Sequence, residues 1–241
     1  MLATTEGIVL HFIKYRESSV ITTIYTRDFG RQSYLINAAR SKKSKNRASL
    51  LQPLFLVDLV AYQKQTRELH RIKELKSNHP YQNIAFDITK STQAILLAEI
   101  LYKALNEQES FLEMYDFIKS ALLYFDLMEN GASNFHLFFL FRLTEYLGFL
   151  PNTTKISFEA WFDLKKGEVV SSQPSHPFFA NREVTEYLVT LSTLKINELC
   201  EFKISRTMRD SLLTVLIDYY QLHFENLGEI KSVSVLKEVF Q

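Results

Sequence analysis

Two hydrophobic periods divide the chain. Up to about residue 80, apolar and polar positions alternate in short β-branched runs, at residues 7–14, 19–25, 33–38, 54–63 and 68–75. Alternation with a period of two predicts strands with one buried face. Polar breaks at 15–18 and around Phe29-Gly30-Arg31 supply turns, and Gly30 can adopt a positive φ there. A longer connection, residues 39–53, joins the third strand to the fourth. Beyond residue 80 the spacing shifts to Leu, Ala, Phe and Glu at helical intervals. Helices are predicted over 87–106 (opening at an Asp87 or Thr89 cap), 109–128, 133–147, 206–227 and 233–240. The 133–147 helix is apolar on several faces, so it reads as the centre of a bundle, stopped by Gly148 and Pro151.

Five short strands with one long connection suit a small closed barrel of the OB type. The expected fold is therefore α+β and multidomain: an N-terminal five-stranded OB-fold barrel over 1–80, then an α-helical bundle over 81–241. An irregular insertion is expected around 152–180, holding a hairpin at 162–169 that turns on Lys166-Gly167. The boundary is placed at 78–80, where Pro80 disfavours helix in the residue before it.

Charge sharpens this division. The chain of 241 residues has a formal net charge of +1, yet residues 1–80 carry 14 Lys and Arg against 6 Asp and Glu, leaving residues 81–241 at −7. A net-positive domain gathers polyanions and its neighbour does not. Arg40, Lys42, Lys43, Lys45 and Arg47 place five cations in eight positions with no acid among them. Phosphates would supply the missing counter-charge, and released counterions would drive binding. Arg16, Arg27 and Arg31 add cations at the strand ends, with Lys14, Arg67, Arg71 and Lys73 close by. Phe12, Tyr15, Tyr25, Phe29, Tyr34 and Tyr62 are candidate stacking platforms, though alternation turns about half of them inward.

The catalytic inventory is sparse. Six glycines stand apart, so no phosphate-cradling loop is present, and six histidines show no paired metal-ligand spacing. His136 reads as a core histidine and the single cysteine, Cys200, as a small buried hydrophobe. No enzyme, cofactor or metal is expected. No apolar run reaches the roughly 18 residues of a membrane span, and no secretory leader is read at MLATTEG, so the expected location is cytoplasmic.

The order of motifs resembles the bacterial RecO family of recombination mediators. The resemblance is carried by Glu6-Gly7-Ile8-Val9-Leu10, Tyr15-Arg16-Glu17-Ser18, Tyr25-Thr26-Arg27-Asp28-Phe29-Gly30-Arg31, Ala38-Ala39-Arg40-Ser41-Lys42-Lys43-Ser44 and Leu50-Leu51-Gln52-Pro53-Leu54. In the helical part it continues with Leu97-Ala98-Glu99-Ile100-Leu101-Tyr102 and Leu147-Gly148-Phe149-Leu150-Pro151. Many family members carry four zinc-binding cysteines after the central helix, and residues 153–179 here contain none, so the chain is similar to zinc-free forms.

The resemblance implies a non-enzymatic DNA repair and recombination protein. Such a protein binds single- and double-stranded DNA, anneals complementary strands and, with the partner RecR, helps load the RecA recombinase on DNA coated by single-strand-binding protein (SSB). It also docks the acidic, hydrophobic C-terminal tail of SSB. Arg142, the one cation in the apolar run 135–143, is the candidate for that tail, with Arg206 and Arg209 weaker ones. An OB-fold RNA-binding protein and a non-catalytic interaction scaffold remain open from the residues alone.

Overall fold

Alternation over the first eighty residues closes into a barrel because each strand has one apolar edge to hide. The computed structural model describes residues 1–15, 19–37, 49–63, 68–105, 110–154, 160–224 and 227–239. Its first strands are β1 (Leu2–Tyr15), β2 (Ser19–Thr26), β3 (Gly30–Asn37), β4 (Leu56–Tyr62) and β5 (Leu69–His79). They form a closed ring in the order β1-β2-β3-β5-β4, antiparallel except for the β3–β5 pair. This is the OB-type barrel that the sequence predicts. The first half of β1 pairs with β4 and its second half with β2, with a register shift between Val9 and His11. Such a bulge bends a strand sharply enough to serve two neighbours.

β1 begins five residues before the predicted strand and β5 runs four beyond it. Both extensions are polar in sequence, and polar pairing explains them. Asn78 donates from Nδ2 to Asp58 Oδ1 at 2.7 Å and to Glu6 Oε1 at 3.4 Å, tying the end of β5 to β4 and β1. The interior is filled by Val9, Ile24, Tyr34, Ile36, Val57, Leu59, Ile72 and Leu75, with Leu51 contributed by the connection before β4. That connection is held in an uncommon backbone conformation. Leu54 has φ 62°, stabilised by its N–H donating to Val9 O at 2.7 Å and its carbonyl accepting from Tyr81 Oη at 2.8 Å.

The chain divides into two compact units, Met1–Leu127 and Met128–Gln241. The composition break at Pro80 follows the last strand. By packing, two helices stay with the barrel: α1 (Ile88–Ala104), capped by the Asp87 side chain accepting from Lys90 N, and α2 (Leu112–Leu127). Asp126 fastens this arrangement. Its fully buried carboxylate accepts the backbone N–H groups of Gln82, Asn83 and Ile84, all at 2.8 Å. Its carbonyl accepts from the Asn83 side chain and from the buried Lys90 ammonium at 2.8 Å. Three donors leaving a strand end thus find one anion.

In the second unit, α3 (Phe135–Tyr146) has nine buried residues in twelve, in keeping with a central helix, and is flanked by α4 (Arg182–Thr193) and α5 (Arg206–His223). Gly148 ends this segment at φ 83°, and Phe149 beyond it packs on Tyr219, Tyr220 and His223. The stretch expected to be irregular contains a small sheet: β6 (Trp161–Asp163) between β7 (Glu168–Val170) and β8 (Phe179–Ala180). The first two strands are the expected hairpin, with Gly167 in its turn. α6 (Ser232–Val239) ends the described chain.

Two expectations are corrected. No helix is predicted over 181–205, yet Asn181 caps α4 by accepting from Val184 N, and Val184, Leu188 and Leu191 bury its inner face. Cys200 is exposed rather than buried. It sits in the turn after a single 3₁₀ turn (Ile196–Glu198), where Leu199 turns inward and its neighbour outward.

Asp126→Ala should therefore lower the unfolding free energy by about 3 kcal/mol or more, because three buried N–H groups lose their acceptor. Chemical denaturation measures it. His136 supplies a pH prediction: burial, then the Arg209 cation, lowers its pKa to about 3. Between about pH 6.5 and 3 the unfolded chain binds a proton that the folded one refuses. Stability should fall through that window as pH drops, by up to about 1.4 kcal/mol per unit, and His136→Gln should flatten the slope.

Candidate nucleic-acid interface

Barrel register decides which side chains share a surface. Direct partners lie on one face, so a line can be followed across the strands: Ile13 pairs with Ile21, Ile21 with Leu35, Leu35 with Arg71, Arg71 with Tyr62 and Tyr62 with Leu2. The circuit returns to β1 eleven residues from its start, the stagger that tilts strands in a small closed barrel. All six side chains point outward. Ile13, Tyr62 and Leu2 are 49%, 48% and 47% exposed, and Arg71 is exposed at the centre. The next position inward runs from Tyr34 to His70, both buried with rings 5.8 Å apart.

The same face extends to Tyr15 and Leu69, both partly exposed, with Lys73 exposed at its margin. None of these residues, nor their partners Ser19, Thr23 and Ser33, is acidic. Four acids of the barrel gather elsewhere. Glu6, Asp28, Asp58 and Glu74 line one cleft of about 420 Å³ together with Arg27 and Lys76. One region of the described barrel surface thus presents exposed apolar side chains around Arg71, and another is mixed and mainly acidic.

The candidate cations of the barrel separate into two groups. Arg16, Arg40, Lys42, Lys43, Lys45 and Arg47 lie outside the described residues. Arg27 and Arg31 are described, and both face the helices of their own unit. Arg27 Nε lies 3.5 Å from Asp116 Oδ1, a hydrogen-bonded pair that raises the guanidinium pKa. Arg31 donates from Nη1 to Leu105 O at 2.7 Å and stands 4.6 Å over the Tyr102 ring. The Tyr102 ring lies tilted against His11 at 4.6 Å, and the His11 pKa is lowered by burial and then by the Arg31 charge. Tyr25 lies 6.0 Å from Tyr115 and donates to Phe111 O, while Lys119 meets Glu6 at 2.8 Å. These contacts fasten α1 and α2 over part of the outer wall and leave the line through Arg71 uncovered by them.

In the second unit, Arg142 is half-buried, donates to Leu194 O at 2.8 Å and stands 5.6 Å over Phe138. It pairs with a backbone carbonyl rather than with Glu145, one turn away. Arg206 reaches Asp210 at 3.9 Å, and Arg209 donates to Asn134 Oδ1 at 2.8 Å. Among the described residues no three His, Cys, Asp or Glu side chains gather as metal ligands, and no helix is long and apolar enough to cross a membrane.

Sequence reasoning singled out Tyr62, Tyr15 and Arg71 as nearby side chains without placing them together. Leu2, Ile13, Ile21, Leu35 and Leu69 were absent from its candidates. Parity within each strand sorts inside from outside, but the line itself exists only in cross-strand register.

An OB-type barrel with such a face, followed in sequence by an α-helical segment, defines the class: an OB-fold protein of the α+β type. Comparison with known proteins makes the assignment specific. The family description "Recombination protein O N terminal" matches residues 1–81, and "Recombination protein O C terminal" matches residues 85–232. The chain is 37% identical over 240 residues to the DNA repair protein RecO of Phocaeicola vulgatus. Identity is 34% over 245 residues with that of Flavobacterium psychrophilum and 32% over 244 with that of Porphyromonas gingivalis. In each case the whole of both chains is covered. The chain belongs to the RecO family, and so to the proteins of DNA repair and recombination.

Arg31→Ala should lower the unfolding free energy by roughly 1–3 kcal/mol, since it removes a charged donor from a carbonyl near a helix end and a cation from an aromatic ring. Denaturant titration of the full chain measures the loss. An unchanged midpoint would mean that Arg31 does not hold α1 to the barrel.

Proposed function

We propose that this protein is a recombination mediator that binds single- and double-stranded DNA, anneals complementary strands and, with RecR, helps load RecA on SSB-coated DNA. The observation that carries the reading is the cationic surplus of the barrel segment, 14 Lys and Arg against 6 Asp and Glu, in a chain of this family. Connectivity supports it. Arg16 follows Tyr15 directly, and Arg40 lies three residues beyond Asn37, the last residue of β3. Arg27, Arg31, Lys42, Lys43, Lys45 and Arg47 complete the proposed DNA-binding set. Annealing needs no bond to be made or broken. Two phosphate backbones repel, and cations that screen both lower the cost of bringing them together.

The SSB tail is assigned to Arg142. An acidic peptide ending in an apolar side chain needs a guanidinium beside an apolar surface, and Arg142 lies against Phe138. The bond to Leu194 uses one of the five N–H groups that a guanidinium carries.

The test is annealing of complementary strands with and without SSB coating, run beside DNA affinity at several salt concentrations. About five phosphate contacts predict that log K falls with log salt at a slope of roughly −3 to −5. Replacing Lys42, Lys43 and Lys45 together by Gln should reduce the slope and slow annealing while leaving the melting temperature nearly unchanged. Arg142→Ala should weaken binding of an SSB-tail peptide and leave DNA affinity unaltered. A flat salt response would overturn the DNA reading in favour of a scaffold. Preference for a folded RNA hairpin over single-stranded DNA would overturn it in favour of RNA.

A further inference from the structure

Of the cations proposed to meet DNA, Arg27 and Arg31 are the described ones, and a carboxylate already holds Arg27. Its Nε donates to Asp116 Oδ1 at 3.5 Å. Arg31 donates instead to the Leu105 carbonyl, a neutral partner. A carboxylate offers a guanidinium negative charge and paired oxygens, as a phosphate does. Asp116 therefore occupies the donor that a DNA backbone would use.

The packing around the pair presents it. Three further contacts clamp the end of β2 to the start of α2. Tyr25 donates from Oη to Phe111 O at 3.3 Å, its ring lies 6.0 Å from that of Tyr115, and Ser110 Oγ donates to the Arg27 carbonyl. These contacts bring Asp116 to Arg27 without drawing on the ion pair itself. Both side chains stay open to solvent, 41% exposed for Arg27 and 55% for Asp116. A pair this exposed adds little to stability and exchanges partners readily.

Other charges act on Arg27 as well. It lines one cleft with Glu6, Asp28, Asp58, Glu74 and Lys76. Lys119 meets Glu6 at 2.8 Å, and Asn78 donates to both Glu6 and Asp58. These acids weaken phosphate binding in the neighbourhood as a whole. Asp116 does more, because it takes a hydrogen bond from the guanidinium.

We infer that Asp116 is an internal competitor for DNA. It holds Arg27 in the free protein, yields it to a backbone phosphate when a strand binds, and takes it back when the strand leaves. The inference rests on the DNA-binding reading above and adds a control on its strength. Competition lowers the affinity, and it leaves no bare guanidinium behind when a phosphate departs. Arg31, held by a carbonyl, carries no such brake.

The experiment is a double-mutant cycle on the full chain, read as affinity for a fluorescent oligothymidylate of about fifteen nucleotides at about 50 mM salt. Asp116→Asn should bind about two- to fivefold more tightly than wild type, the range that an exposed ion pair spans. Arg27→Ala should bind more weakly than wild type, and the gain from Asp116→Asn should vanish when Arg27 is already Ala. Asp116→Ala, a better helix former, should reproduce the gain of the Asn variant. Thermal melts compare the fold of every variant. An equal gain with and without Arg27 overturns the inference, because the effect is then general repulsion of the strand. Unchanged or weaker binding in both Asp116 variants overturns it too, as does unfolding of both, which would make the pair a structural clamp. Each of those outcomes leaves the DNA reading standing. Failure of the wild-type protein to bind the oligonucleotide overturns that reading and this inference together.

Discussion

Closure of a five-stranded ring leaves every side chain on its strands one of two environments, and the rest of the unit follows from that constraint. Inside, Val9, Ile24, Tyr34, Val57, Leu59 and Ile72 fill the barrel. Outside, a strand must either be covered by another element or present itself to water. The first unit uses both solutions on one wall. Around Tyr25, Arg27 and Arg31 the outer face is sealed by α1 and α2 through ring contacts, an ion pair and a charged bond to a backbone carbonyl. Around Arg71 the helices give no such cover, and apolar side chains stay exposed. Buried Asp126 keeps that division in place, because it fixes where the chain leaves β5 and turns into α1.

Electrostatics then separates two kinds of cation that composition treats alike. The first eighty residues carry a surplus of eight positive charges, but a surplus says nothing about where each charge is spent. Arg31 is held by a carbonyl and a ring of its own unit, and Arg27 by a carboxylate. Exposed ion pairs such as Arg27–Asp116 contribute little to stability and are readily exchanged, so a phosphate can compete for Arg27 more easily than for Arg31. Arg71 and Lys14 differ from both, because their register partners are apolar or aromatic: Leu35 and Tyr62 for Arg71, Val20 for Lys14.

Much of this was legible in the residues, for local reasons. Period-two runs gave five strands near their true bounds, the Asp87 cap opened α1, and the apolar run before Gly148 was the central helix. Each signal is contained within a few neighbouring positions. The failures are of another kind. The polar beginning of β1 and end of β5 are strands because Asn78 bridges Glu6 and Asp58, three residues far apart in sequence. α4 went unread because a polar surface diluted its Val184–Leu188–Leu191 stripe, although Asn181 carried the cap signal. Cys200 was assigned inward from the habit of its residue type, and a one-turn helix put it outside. The line through Arg71 needs the pairing of all five strands, which no single stretch encodes.

A protein that moves strands between partners has a further physical requirement, and the barrel surface meets it on the proposed reading. Contacts must be strong in sum and weak singly, or the strand could not be handed on. Each phosphate contact adds a salt-dependent increment of its own. A strand held by several such contacts can be peeled away one nucleotide at a time, never losing the whole binding energy in one step. Tight enclosure would defeat this: a deep pocket binds one group firmly and releases it all at once.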